Sequence, residues 1–148
     1  MRSRDFVVDT YRKIAHTHTD LYFDISFDSE QVDKFLSYLP RKAKVLDIGS
    51  GPGNFTKYIF DKGFEIEGVD ISPEMLQIAQ EKVPGITFSY MDMRKLEFLD
   101  EHFDGIISAY SLIHIESADF EIIEINKQEI QDENVLSTQV MYVIGKKK

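Results

Sequence analysis

The chain has 148 residues, 26 acidic against 17 basic side chains for a formal charge of −9, and 43% hydrophobic residues including 11 Phe and 7 Tyr. This length reads as a single domain over 1–148, and the apolar content argues against intrinsic disorder. The acid excess speaks against a nucleic-acid partner, because holding a phosphate backbone requires lysines and arginines that displace counterions. No run approaches the roughly 18 apolar residues that a bilayer span needs, and no signal-peptide core follows Met1, so no membrane partner is expected. The absence of cysteine removes disulfides, thiolate zinc sites and cysteine nucleophiles, and it fits a reducing, cytoplasmic location.

Residues 5–17 place Phe6, Val7, Thr10, Tyr11 and Ile14 on one stripe, which predicts an amphipathic helix broken by His16-Thr17-His18-Thr19-Asp20. Asp28 with Gln31 reads as a capping box for a second helix carrying Val32, Phe35, Leu36 and Leu39 and stopped by Pro40. Residues 1–40 thus form a helical N-terminal lid or cap segment. From Ala43 the texture changes. Lys44–Ile48 reads as a buried strand, followed by a helix through Phe55, Ile59 and Phe60 that ends at Gly63. Phe64–Asp70 is the next strand. Ser72-Pro73 opens a helix whose inner face is Met75, Leu76, Ile78, Ala79 and Val83. Strands at 86–91 and 103–110 complete an alternation over residues 43–115 that means a parallel sheet covered by helices. The runs 120–130 and 137–146, around Gln131-Asp132-Glu133-Asn134, read as a C-terminal antiparallel hairpin.

The informative segment is Val45-Leu46-Asp47-Ile48-Gly49-Ser50-Gly51-Pro52-Gly53-Asn54, a glycine loop between a strand and a helix. A side chain at Gly49 or Gly51 would keep a ligand from lying against the backbone. A dinucleotide fingerprint wants glycine at the sixth position, where Asn54 stands, which weakens a pyrophosphate reading. Asp70 follows Gly49 at about the 20-residue offset of an acid that accepts both hydroxyls of a ribose. Asp92-Met93, at the end of the third strand, offers a carboxylate and an apolar side chain to an adenine.

Asp47 through Gly53, Asp70, Asp92-Met93 and the run Phe103–His114 together resemble, in order and spacing, the class I S-adenosylmethionine-dependent methyltransferases. The resemblance covers residues 28–115. It implies an α/β, Rossmann-like, doubly wound and mostly parallel sheet. S-adenosylmethionine would be the cofactor, S-adenosylhomocysteine its product, and a small molecule the acceptor. The candidate cofactor-binding residues are Asp47, Gly49, Ser50, Gly51, Gly53, Asp70, Ile71, Asp92, Met93 and Tyr110, with Asp47 suited to a ligand's ammonium group. His114, just past the fourth strand, is the candidate catalytic base if the acceptor is a hydroxyl or an acidic carbon. Tyr11, Tyr22 and Phe23 are candidate lid aromatics, with core packing the competing reading.

His16, His18 and Asp20 would share one face of a strand, but nothing fixes a strand there and no fourth ligand is near, so no metal site is expected. The chain departs from the family pattern after Ile115. Only 9 residues separate Tyr110 from Phe120, fewer than the dozen or more of a parallel crossover, so the fifth strand and its helices are expected to be absent. A natural deletion, a deliberate shortening and a missing internal segment all fit. The outer edge of the fourth strand would then be open unless the terminal hairpin closes on it or is exchanged in a homodimer. Two other readings stand beside a methyltransferase: a module that binds the cofactor without transferring its methyl, and a nicotinamide oxidoreductase, which Asn54 disfavours.

Overall fold

A computed structural model describes residues 4–26, 28–99 and 102–111, and the backbone of 140–143. The elements in chain order are α1 (Arg4–Tyr22), α2 (Ser29–Ser37), β1 (Lys44–Ile48), α3 (Asn54–Asp61), β2 (Glu65–Asp70), α4 (Pro73–Lys82), β3 (Thr87–Tyr90), β4 (Gly105–Ala109) and β5 (Val140–Val143). They build one sheet in the order β3-β2-β1-β4-β5. The first four strands are parallel and β5 runs antiparallel against β4, with Ala109 opposite Val140. The expected α/β, mostly parallel architecture is present.

Alternation along the strands sorts the core onto two faces. Val45, Ile66 and Ile107 meet Val32, Phe35 and Leu36 of α2 and Phe55 and Ile59 of α3. Leu46, Ile48, Val69 and Ile106 face the other way, against Met91, Met93, Leu96, Phe98 and Phe103. Asp47 shares the parity of Val45 and so turns toward α3, which decides its environment.

Local signals were sound where a side chain could satisfy a helix end. Ser72 accepts the Met75 N–H at 3.3 Å with Pro73 in the first turn of α4, and Gly63 takes φ +90 beyond α3. The expected inner face of α4 is buried at all five positions, Met75, Leu76, Ile78, Ala79 and Val83.

Three expectations are corrected. The helix predicted for 5–17 continues to Tyr22: the Thr19 hydroxyl donates to the Ala15 carbonyl at 2.7 Å, and Ala15 packs with Met75 and Ile78 of α4. Its inner row is therefore Val7, Tyr11, Ala15 and Thr19, at intervals of four, while Phe6 and Ile14 are exposed. His16, His18 and Asp20 accordingly lie around a helix instead of along a strand face, and among the described residues no three metal-ligating side chains cluster. The capping box at α2 does not form, because Asp28 makes no side-chain bond to the helix and its carboxylate is engaged elsewhere.

Of the predicted hairpin, the run 120–130 lies outside the described residues, whereas 137–146 contributes β5. That strand covers the outer edge of β4 within the same chain.

Candidate active site

The parallel strands end together, and the loops that leave those ends form the site. After β1 the chain turns back at once: Gly49 and Ser50 both donate their N–H groups to the Val69 carbonyl, at 2.8 and 3.0 Å, which fastens the loop to β2. Gly49, Gly51 and Gly53 all have positive φ, 68°, 52° and 83°. At Gly49 the need is also steric, since a Cβ there would lie 2.3 Å from the Ser111 Cβ and 3.2 Å from the Met93 Cε. At Gly51 a Cβ would meet nothing within 4 Å, so the tip of the loop faces open space.

Asp70 closes the opposite side. Its Oδ2 accepts the Gly51 N–H and its Oδ1 the Ser72 N–H, both at 2.8 Å. The Ile71 N–H also bears on the carboxylate, which keeps acceptor capacity for a further donor. Crowding by protein raises the pKa of Asp70 despite these bonds. Ile71 lies half-buried in the link between β2 and α4.

Asp47 lies beneath the loop with 1% exposure, its Oδ2 accepting the Thr56 hydroxyl at 2.6 Å. Burial raises its pKa to about 7; the Thr56 bond opposes that rise and the Asp70 charge adds to it. An ammonium group in the cleft would feel this carboxylate through the loop, without touching it at the surface.

At the end of β3, Asp92 is already occupied. Its Oδ1 accepts from both the backbone N–H and Nε of Arg94 at 3.0 Å, its Oδ2 accepts from Arg94 Nη2 at 2.5 Å, and Arg4 Nε stands 3.9 Å away. The Arg94 bond holds the pKa of Asp92 below its ordinary value. In this conformation the carboxylate has little capacity left for an adenine amino group. Arg4 also bonds the Tyr90 hydroxyl, so the start of α1 is tied across the end of β3. Met93 packs with Ile48 and Val69 beside the first glycine.

Beyond β4 the Ser108 and Ser111 hydroxyls both donate to the Ile48 carbonyl, at 3.1 and 2.9 Å. Tyr110, between them, is a non-glycine residue at φ +58. Its hydroxyl donates to Asp28 Oδ1 at 2.9 Å, and its ring lies 6.4 Å from that of Phe55. Burial and the Asp28 charge push its pKa up to about 12.

The structure thus brings together Asp47, Gly49, Ser50, Gly51, Gly53, Asp70, Ile71, Met93 and Tyr110, places Asp92 alongside with its charge paired, and leaves His114 outside the described residues. The lid aromatics divide. Tyr11 packs with Met75 and Ile78, and Phe23 packs on the α4 and β3 cluster, so both belong to the core. Tyr22 is exposed, and its carbonyl accepts from Asn54 at the start of α3. Sequence reasoning missed Thr56, Ser111 and Asp28. Thr56 carried a usable signal, a small hydroxyl in the first turn of α3 opposite the acid of β1.

Comparison with known proteins decides the family. The profile of a methyltransferase domain matches residues 45–127, more than half of the chain and all of the site except α1 and α2. The chain belongs to the class I S-adenosylmethionine-dependent methyltransferases. YqeM of Bacillus subtilis is 35% identical over 101 residues, 66% of this chain and 40% of that protein. The PH0226 protein of Pyrococcus horikoshii superposes with a TM-score of 0.61 and 30% identity, over 75% of this chain and 55% of that one. An S-adenosylmethionine-dependent methyltransferase from Mesorhizobium loti gives 0.51 and 28%, over 58% and 42% of the two chains. This methyltransferase chain spans between 35% and 41% of the length of the first curated relatives it matches.

The family's cofactor is S-adenosylmethionine, and the residues present fit it: a loop tip open at Gly51, a buried Ser50 hydroxyl that has no partner among the described residues, and an acid at the end of β2 with acceptor capacity to spare.

Proposed function

We propose that this chain binds S-adenosylmethionine across the carboxyl ends of β1–β4 and transfers its methyl group to a small-molecule acceptor. The observation that carries the reading is Asp70, which shapes the glycine loop through Gly51 and, with its remaining acceptor capacity, would take a ribose hydroxyl. Gly49, Ser50, Gly51 and Gly53 would line the cofactor's length, Ile71 and Met93 its apolar faces, and Asp47 would favour its ammonium group by charge. Asp92 would take the adenine once Arg4 or Arg94 gives up a bond. The strong acid excess supports a small acceptor over a nucleic acid.

When bound, the cofactor supplies a methyl group on a sulfonium that departs as a neutral thioether, so the protein's part is mainly position. The Val69 carbonyl and the two serines on Ile48 hold the loop from both sides, which fixes the site before the ligand arrives and lowers the cost of orienting it. For a hydroxyl or acidic-carbon acceptor, proton removal is assigned to His114; a His114→Ala chain with unchanged turnover would remove it from the mechanism. A second reading, binding without transfer, is favoured by the fraction of its relatives' length that the chain spans.

Calorimetric titration with S-adenosylmethionine and, separately, NAD tests the proposal, followed by transfer of a labelled methyl to a panel of small acceptors. Binding of the former alone, weakened in Asp70→Ala, is the expected result. Binding of neither by a folded chain would overturn it.

A further inference from the structure

Asp28 stands at the N-terminal end of α2, where a carboxylate ordinarily accepts a backbone N–H of the first turn. It makes no such bond. Its Oδ1 instead accepts the hydroxyl of Tyr110, a residue 82 positions away, and no cation among the described residues pairs with it. Tyr110 in turn holds a left-handed backbone that strains a non-glycine residue, and its ring is 6.4 Å from Phe55. The location gives this pair a meaning. In the sheet order β3-β2-β1-β4, Asp92 and Asp70 mark the nucleoside end of the cleft on β3 and β2, so the reacting end falls toward β1 and β4. Tyr110 leaves β4 there, one residue before the serine that covers Gly49.

Resting on the methyltransferase reading, we propose that Asp28 and Tyr110 form the acceptor subsite and that the acceptor is an amine, bound as its ammonium. A carboxylate with one oxygen committed to a phenol keeps its other oxygen for an N–H donor. The exposed Tyr110 ring, backed by the buried Phe55, offers a face that attracts a cation. A carboxylic or phosphate group at the same place would meet the Asp28 charge with no cation among the described residues to offset it. For transfer, the ammonium gives one proton to Asp28, the freed nitrogen lone pair forms the new N–C bond, and the C–S bond breaks with its electron pair left on sulfur. Asp28 returns the proton to water.

The test is binding to the full chain saturated with S-adenosylhomocysteine. Benzylamine is compared with benzyl alcohol, and ethanolamine with ethylene glycol, by NMR titration at neutral pH. The amine of each pair should bind about tenfold more tightly or better, as charge-assisted hydrogen bonds do. Asp28→Asn, which keeps a good helix-capping residue, should abolish the preference, and Tyr110→Phe should reduce it. Asp61→Asn, on the exposed part of α3, should leave it intact. Equal binding of amines and alcohols by a chain that binds S-adenosylhomocysteine overturns the amine subsite alone. So does a preference that survives Asp28→Asn. Failure to bind S-adenosylhomocysteine overturns the underlying reading and this one with it.

Discussion

Ser111 occupies the space that a side chain on Gly49 would need: a Cβ on that glycine would lie 2.3 Å from the Ser111 Cβ and 2.5 Å from its hydroxyl oxygen. The end of β4 and the loop after β1 are thereby locked together, since the same hydroxyl donates to Ile48 at 2.9 Å. Gly49→Ala should displace Ser111 and reduce S-adenosylmethionine affinity by at least tenfold. Gly63→Ala is the matched control. Its φ is +90 but a Cβ there meets nothing within 4 Å, so it should cost only the backbone strain of about 1 kcal/mol and leave cofactor affinity unchanged. Calorimetry and urea unfolding on both variants check the contrast.

Asp47 should make stability fall with rising pH. Its pKa is about 7 in the folded chain against an ordinary 3.8, so the folded state holds a proton that the unfolded state has released across that window. The stability associated with the protonated form is full below about pH 4 and declines until about pH 7, by at most about 4 kcal/mol if the whole shift is expressed. Asp47→Asn should flatten this decline, measured as the urea midpoint between pH 4 and 8.

Thr56→Val should act on the same group from the other side. It removes the buried hydroxyl that donates to Asp47 at 2.6 Å, at a cost of about 1–3 kcal/mol, and pushes the Asp47 pKa further up. The double variant with Asp47→Asn should be non-additive in a thermodynamic cycle, because both changes act on one bond.

Asp70→Asn should separate architecture from recognition. One amide oxygen can still accept a backbone N–H, so the chain should fold with a loss of about 1–3 kcal/mol, while the loss of charge-assisted bonds to a ribose should weaken S-adenosylmethionine about tenfold to a hundredfold. Parallel unfolding and calorimetric titrations give the two numbers independently.

Much of this fold was legible because its signals are local. Ser72-Pro73 dictates a helix start whatever surrounds it, and the alternation from Lys44 to Tyr110 requires a parallel sheet. The glycine loop and Asp70 were legible together because their spacing reflects one strand, one turn and one helix. The misreadings of Asp28 and of the α1 stripe concern groups whose partners are distant. Asp28 looked like a cap for α2, but Tyr110 lies 82 positions on. Phe6 and Ile14 looked like an inner stripe, but α4 selects the neighbouring row through Ala15 and Thr19. Asp92 remains the candidate adenine contact; Arg94, two positions on, is a local partner, and only the fold shows Arg4 arriving beside it from α1.

The pairing of β5 with β4 also bears on how the chain comes off the ribosome. Ala109 and Val140 are neighbours in the sheet but are separated by residues 110–139 in synthesis. At about 5–20 residues per second, the outer edge of β4 in a β3-β2-β1-β4 sheet stays bare for on the order of seconds before residues 140–143 emerge to cover it. During that interval β4, beside the proposed acceptor subsite, offers its edge to a holdase or to a neighbouring nascent chain.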